Sequence, residues 1–307
     1  MTTARRKAYG PRRAPYAFLL PAGALFVLFF ALPIGYAIYL SLRKVEVKGL
    51  GLGKGSRSET WAGLSNYSAA FHDSELLHGA LRVLGYGLIV IPVMLGLALV
   101  FALMLDAERV RGASFSRLVI FLPYAIPGVV AATLWGFLYL PDVSPLHWAL
   151  RELGLPEPDL LDGGPLYLAL SNIAVWGGTG FNMIVIYTAL RAIPAEVYEA
   201  ARLDGCSQLQ TALRIKIPMV APSLVLTFFF SVIATLQVFN EPMTIKPLTN
   251  AMSTTWSPLM KVYSDAFVNG DIYSAAASAV LIALVTLVLS FTFLKTVGSR
   301  TNREDAR

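Results

Sequence analysis

Charge and cysteine are both scarce in this chain. Only 14% of its 307 residues are charged, against about 25% in soluble domains. A single cysteine, Cys206, excludes an intrachain disulfide and leaves the redox compartment unmarked. The three histidines, His72, His78 and His147, fall between apolar stretches and are expected to be solvated surface groups. No His/Cys/Asp grouping has zinc-ligand spacing, so no metal site is expected. Neither H-E-x-x-H nor G-x-S-x-G occurs, which removes the motif-based case for a hydrolase. The glycine-rich segment 51–56 lacks the Ser/Thr that a phosphate loop needs, because Gly55 follows Lys54. ATP chemistry would then reside on another chain. The net charge of +6 forms no basic patch with interleaved aromatics, so nucleic acid is not an expected partner.

Apolar residues make up 56% of the chain, and the mean hydropathy is +0.61. That excess points to lipid as the solvent for much of the surface. Six stretches are long enough to cross about 30 Å of hydrocarbon: residues 16–42, 80–105, 118–140, 166–190, 219–239 and 272–294. Lipid offers no partner to backbone N–H and C=O groups, so each is read as a helix. The first is longer than a signal-peptide core and is read as a retained anchor. The fold class is therefore an all-α membrane protein with six transmembrane helices.

Orientation follows from the basic residues. Sixteen of the twenty-five lie at the two termini and in the second-to-third and fourth-to-fifth loops. Acidic residues divide the other way, giving net charges of +9 and −3 for the two sides. Both termini are expected to be cytoplasmic, in a plasma or inner membrane. No charged residue stands mid-span, which argues against an ion-coupled carrier with an intramembrane relay.

The loops differ in character. In the outer loop, residues 45–58 read as a flexible connector without periodicity. The third-to-fourth loop carries five prolines and room for one short helix near residues 147–153. The fourth-to-fifth loop, residues 194–218, reads as a helix–turn–helix. Pro194 suits a first helical turn, Gly205 permits the positive φ that ends a helix, and Asp204 could cap the next one. Val197, Ala200, Ala201 and Asp204 recur at i, i+3, i+4 and i+7, which would give one smooth face for a close partner.

Glu199-Ala200-Ala201, then Asp204-Gly205, Gln210, Ile215, Pro218 and Pro222 resemble the EAA loop of binding-protein-dependent ABC importer permeases. Cys206 and Ala212 depart from the alanine and the bulky aromatic usual in that loop. The segments 14–21, 63–67, 121–127 and 176–182 are similar to the carbohydrate-uptake subgroup of maltose or glycerol-phosphate type. The resemblance implies that Glu199, Ala200, Ala201, Asp204, Gly205, Gln210 and Pro218 form a cytoplasmic coupling element that docks on an ATPase. It implies as partners a second permease subunit, two ABC ATPase subunits that bind the ATP, and an extracytoplasmic sugar-binding protein. The chain itself would carry no cofactor and no catalytic residue. Three regions are expected: residues 1–79 with the first helix, residues 80–296 as the importer transmembrane domain, and a tail from 297 to 307.

Polar residues within spans are the remaining candidates for a solute pathway. Asn172, Trp176 and Thr179 share one face of the fourth span, with Asn182 a turn further on. Gln237 and Glu241 share a face near the outer end of the fifth. Hydrogen-bonding and aromatic side chains suit a sugar, and the same residues would also serve interhelical packing. The expected cargo is a carbohydrate, an oligosaccharide or other sugar; the alternative is a permease of the same class for a non-sugar solute.

Overall fold

The computed structural model describes residues 14–47, 57–107 and 112–304. The glycine-rich segment 51–56, the basic residues up to Arg13, Arg109 and Arg111, and the last three residues lie outside them. The chain forms two compact units.

The first unit gathers Met1–Ala70 and Asp265–Leu281. Its first span, Tyr16–Ser41, is 26 residues long, and none of its most apolar stretch is buried within the chain. A π-helical turn over Val27–Ala31 widens it just before Pro33. The two ends of the connector expected over residues 45–58 are strands, and its middle, residues 48–56, lies outside the described residues. Strand β1, Arg43–Val47, pairs antiparallel with β2, Arg57–Trp61, setting Val45 opposite Glu59. The pairing needs a partner distant in sequence, so periodicity within either half does not reveal it. Asn66 secures the hairpin's start, donating from Nδ2 to the carbonyls of Ser41 at 2.8 Å and Arg43 at 2.7 Å. Tyr273 closes its far strand, donating its hydroxyl to Glu59 Oε1 at 2.8 Å.

The second unit gathers Phe71–Ser264 and Ile282–Arg307. The second span, Ser74–Leu105, begins at a cap in which Asp73 Oδ1 accepts from the backbone of Glu75 and Leu76. It packs along the fourth span, Pro165–Arg191. Ala98 and Ala102 are fully buried there, and their small size lets Met183, Ile186 and Leu190 approach closely. The fifth span covers Ala221–Leu248 and the sixth Ile272–Phe293, the latter running on from the first unit.

The third span departs from the single helix expected over residues 118–140. It consists of Ala113–Ala125 and Gly128–Tyr139, bent by 95°. Pro127 has no N–H to give the ladder, and Ile126 before it takes an extended conformation, φ −83° and ψ 126°. Among the described residues, five helices are thus long and apolar enough to cross a membrane unaided, or six with the bent pair as one span. The loop that follows holds a short helix, Pro145–Glu152, capped by Ser144. His147 is not the solvated group expected. It is completely buried, and its Nε2 donates to the Pro158 carbonyl at 2.9 Å. The prolines that exclude a long helix fold the loop back over this ring.

Candidate functional site

Two places in the second unit combine order with unusual chemistry: the fourth-to-fifth loop and a cavity among the spans.

In the loop, Pro194 precedes a helix over Ala195–Leu203. Its end is a Schellman turn: Cys206 N–H donates to the Ala201 carbonyl and Gly205 N–H to that of Arg202, both at 3.0 Å. Gly205 sits at φ +74° with nothing near its α-carbon, so glycine is required by backbone conformation and not by crowding. The next helix is capped by Ser207, not by Asp204. Ser207 Oγ accepts from Gln210 N–H at 3.3 Å, and Gln210 Oε1 accepts from Ser207 N–H at 2.8 Å. Gln210 is thereby occupied within the loop.

The expected common face is split. Ala201 is 4% exposed and Val197 half-buried, while Glu199, Ala200 and Asp204 face outward. Successive helix residues point about 100° apart, so the boundary between inside and outside passes between the two alanines. The outward surface also carries Leu203 at 89% exposure and Leu209 at 68%, neither flagged by the sequence reading. Pro218 is exposed at the loop's end.

The loop is fastened to the spans. Lys216 Nζ lies 2.6 Å from Asp106 Oδ2, and both side chains are largely buried. The same ammonium stands 5.0 Å from the centre of the Tyr198 ring. Tyr198 in turn donates its hydroxyl to the Leu190 carbonyl at 3.3 Å. Burial, then the negative charge of Asp106, holds the Tyr198 phenol above its usual range. Asp106 ends the second span and Leu190 nearly ends the fourth, so movement of the loop is mechanically linked to both.

The cavity has a volume of about 590 Å³, within the range of small-molecule sites. Its wall takes residues from the second, third, fourth and fifth spans. Gln237, Glu241 and Asn182 line it; Asn172, Trp176 and Thr179 do not. Asn172 donates from Nδ2 to the Tyr139 hydroxyl at 2.9 Å, and Tyr139 donates to the Ala169 carbonyl at 3.0 Å. Trp176 packs edge-on to Trp135, with centroids 5.7 Å apart. Thr179 donates to its own helix, at Val175 O, 2.6 Å away. These three sit on or behind the wall as packing and interhelical groups.

The wall also contains Tyr124 stacked on Phe181, centroids 5.0 Å and planes 22° apart. Tyr124 lies between Pro123 and Pro127, and that pair of prolines was a readable sign that the span breaks there. Tyr86, Ser231, Thr235 and Asn240 complete its polar lining. Gly178 lets Met94 press close: a Cβ would meet its sulfur at 2.4 Å.

Residues 67–303 match the family described as "binding-protein-dependent transport system inner membrane component". The chain is 32% identical over 279 residues to the sn-glycerol-3-phosphate transport system permease protein UgpA of Agrobacterium fabrum, covering 90% of this chain and 92% of that one. It is 28% identical to the protein of the same name from Salmonella choleraesuis, over 96% and 97% of the two. Among solved structures, a bacterial ABC transporter involved in import of the acidic polysaccharide alginate has the same fold. The TM-score is 0.78 at 20% identity, covering 93% of this chain and 95% of that chain.

Proposed function

The chain belongs to the family of inner membrane components of binding-protein-dependent transport systems, and from that premise we propose that it forms, with a second permease subunit, the path by which a carbohydrate enters the cell. Two ABC ATPase subunits on the cytoplasmic side bind and hydrolyse the ATP, and this chain carries no cofactor of its own. An extracytoplasmic binding protein delivers the sugar. Both termini and the loop 194–218 are cytoplasmic, a reading supported by the +9 and −3 division of charge.

One observation carries the proposal: the loop is a built element and not a tether. A Schellman turn, a capping box and a buried ion pair fix it, and an apolar and acidic surface is left facing outward. Glu199, Ala200, Asp204 and Gly205 are the contact side toward the ATPase, while Ala201, Gln210 and Pro218 shape the loop. Movement of the docked ATPases reaches the spans through Asp106 and Tyr198. The solute contacts assigned to this chain are Gln237 and Glu241, with Asn182 beside them. Asn172, Trp176 and Thr179 support the wall.

The test is co-purification of the ATPase with the Gly205→Val and Ala200→Trp variants, together with sugar-stimulated ATP hydrolysis. Valine at positive φ costs about 1–2 kcal/mol by backbone strain alone, and tryptophan projects from the outward face. Both variants are expected to lose the ATPase or its stimulation while sugar binding by the extracytoplasmic protein is unchanged. Normal co-purification and wild-type transport in both would remove this loop from coupling.

A further inference from the structure

The relatives named above are a permease of the anion sn-glycerol-3-phosphate and an importer of acidic alginate. The cavity of this chain has the opposite chemistry. Among the described residues its wall contains no lysine, arginine or histidine, and its one charged side chain is the carboxylate of Glu241. Lys261, outside the wall, pairs with Asp73, with Nζ 3.1 Å from Oδ2. Glu241 has room to turn into the space because Gly128 faces it; a Cβ there would stand 3.4 Å from Glu241 Oε1.

Hydrogen-bond capacity points the same way. A carboxylate only accepts. Asn182 is 4% exposed and spends its Nδ2 on the Gly178 carbonyl at 2.9 Å. Its Oδ1 is buried without a hydrogen-bond partner. A sugar hydroxyl can donate to the Glu241 carboxylate. A phosphate or uronate group also brings a negative charge, which the one charged side chain of the wall, the Glu241 carboxylate, repels. The Tyr124–Phe181 stack supplies a flat apolar surface for the C–H face of a sugar ring.

We infer that this permease passes neutral carbohydrates and excludes anionic ones, with Glu241 as the residue that determines the difference. The inference rests on the reading of the chain as a carbohydrate permease and narrows it. Like-charge juxtaposition at a close contact gives discrimination on the order of 100-fold.

The experiment uses the purified permease pair with its ATPases in detergent, without the binding protein, so that the cavity's own preference is read. Equilibrium dialysis compares maltotriose, an alginate trisaccharide and sn-glycerol-3-phosphate. The wild-type complex is expected to favour maltotriose over both anions, by on the order of 100-fold. In Glu241→Gln the ratio should narrow by about tenfold or more, chiefly through tighter binding of the anions. Equal or tighter wild-type binding of either anion overturns the inference and leaves carbohydrate import standing. A variant that weakens all three ligands in proportion assigns Glu241 a structural role and also overturns it. Binding of none of the three sinks the carbohydrate reading and this inference together. The wild-type comparison requires no variant to fold.

Discussion

The first and fourth spans have nearly the same length, 26 and 27 residues, and opposite surroundings. The first has the higher hydropathy, 2.4 against 1.4, and buries none of its apolar window inside the chain; the fourth buries 39% of it. In a membrane, exposed surface is apolar because lipid is the solvent, and the packed helix carries the small and polar residues. Glycines mark the contrast. A Cβ on Gly23 or Gly35 of the first span would meet nothing within 4 Å, whereas one on Gly180 would stand 2.3 Å from the Ile120 carbonyl oxygen. Hydropathy alone does not decide this: the second span is more apolar still, at 2.9, and buries 33% of its window.

Four substitutions test that contrast. Gly180→Ala should have the largest effect, because the collision is with backbone and no rotamer relieves it. A destabilisation of about 3 kcal/mol is expected, read as a lower unfolding midpoint of the purified protein in detergent. Gly23→Ala should leave the midpoint unchanged or slightly raised, since alanine favours a helix by about 0.5–1 kcal/mol. A large loss at Gly23 would mean that the first span packs more tightly than its exposure indicates. Next, Met183→Ala should cost about 1–3 kcal/mol, the cavity portion of a core truncation without the water-transfer portion. Phe29→Ala, on a 64% exposed side chain, should stay within about 0.5 kcal/mol in the isolated chain. Loss of the second permease subunit on co-purification of Phe29→Ala would identify that subunit as the cover of the first span. Equal destabilisation by the two truncations would erase the contrast.

The smallest effect lies at the head of the second span. Burial tends to raise the Asp73 carboxyl, but Lys261 and the N–H groups of Leu76 and Glu75 outweigh it, so its pKa lies below the ordinary value. A depressed carboxylate contributes stability above its unfolded pKa of about 4 and loses it as pH falls through the lower folded value. Partial exposure limits the gain to a few tenths of a kcal/mol, a screened ion pair's worth. Asp73→Asn keeps the cap and removes the titration. Its midpoint should trail the wild type near neutrality and converge with it as pH drops below about 4. A constant gap across that range would exclude Asp73 as the titrating group.

The spans were legible because their signal is local: a run of apolar residues needs no knowledge of neighbours. The helix–turn–helix of residues 194–218 was legible for the same reason, since proline and glycine are short-range punctuation, although Ser207 and not the expected Asp204 caps its second helix. What escaped was set by contact between distant segments. The β1–β2 pairing, the burial of His147 beneath Pro158, and the separation of Ala200 from Ala201 all depend on what lies opposite. The residues expected to line a solute pathway show the limit. Asn172, Trp176 and Thr179 share a helical face as expected, yet that face meets Tyr139 and Trp135 and not the cavity. Glu241 and Gln237 reach it from the fifth span, while Tyr124 and Phe181 become neighbours only after the third span bends.

That bend has a consequence for how wet the molecule is. Lipid does not tolerate non-helical backbone unless protein covers it or water reaches it. Pro123, Tyr124, Ile126 and Gly128, at the elbow of the third span, all border the cavity. Backbone groups released where the ladder stops border a space wide enough to admit water. The cavity is then a hydrated chamber within an apolar shell, and a polyol entering it exchanges one set of hydrogen bonds for another. Passage need not strip the solute bare, so the barrier against leakage must lie at the chamber's mouths.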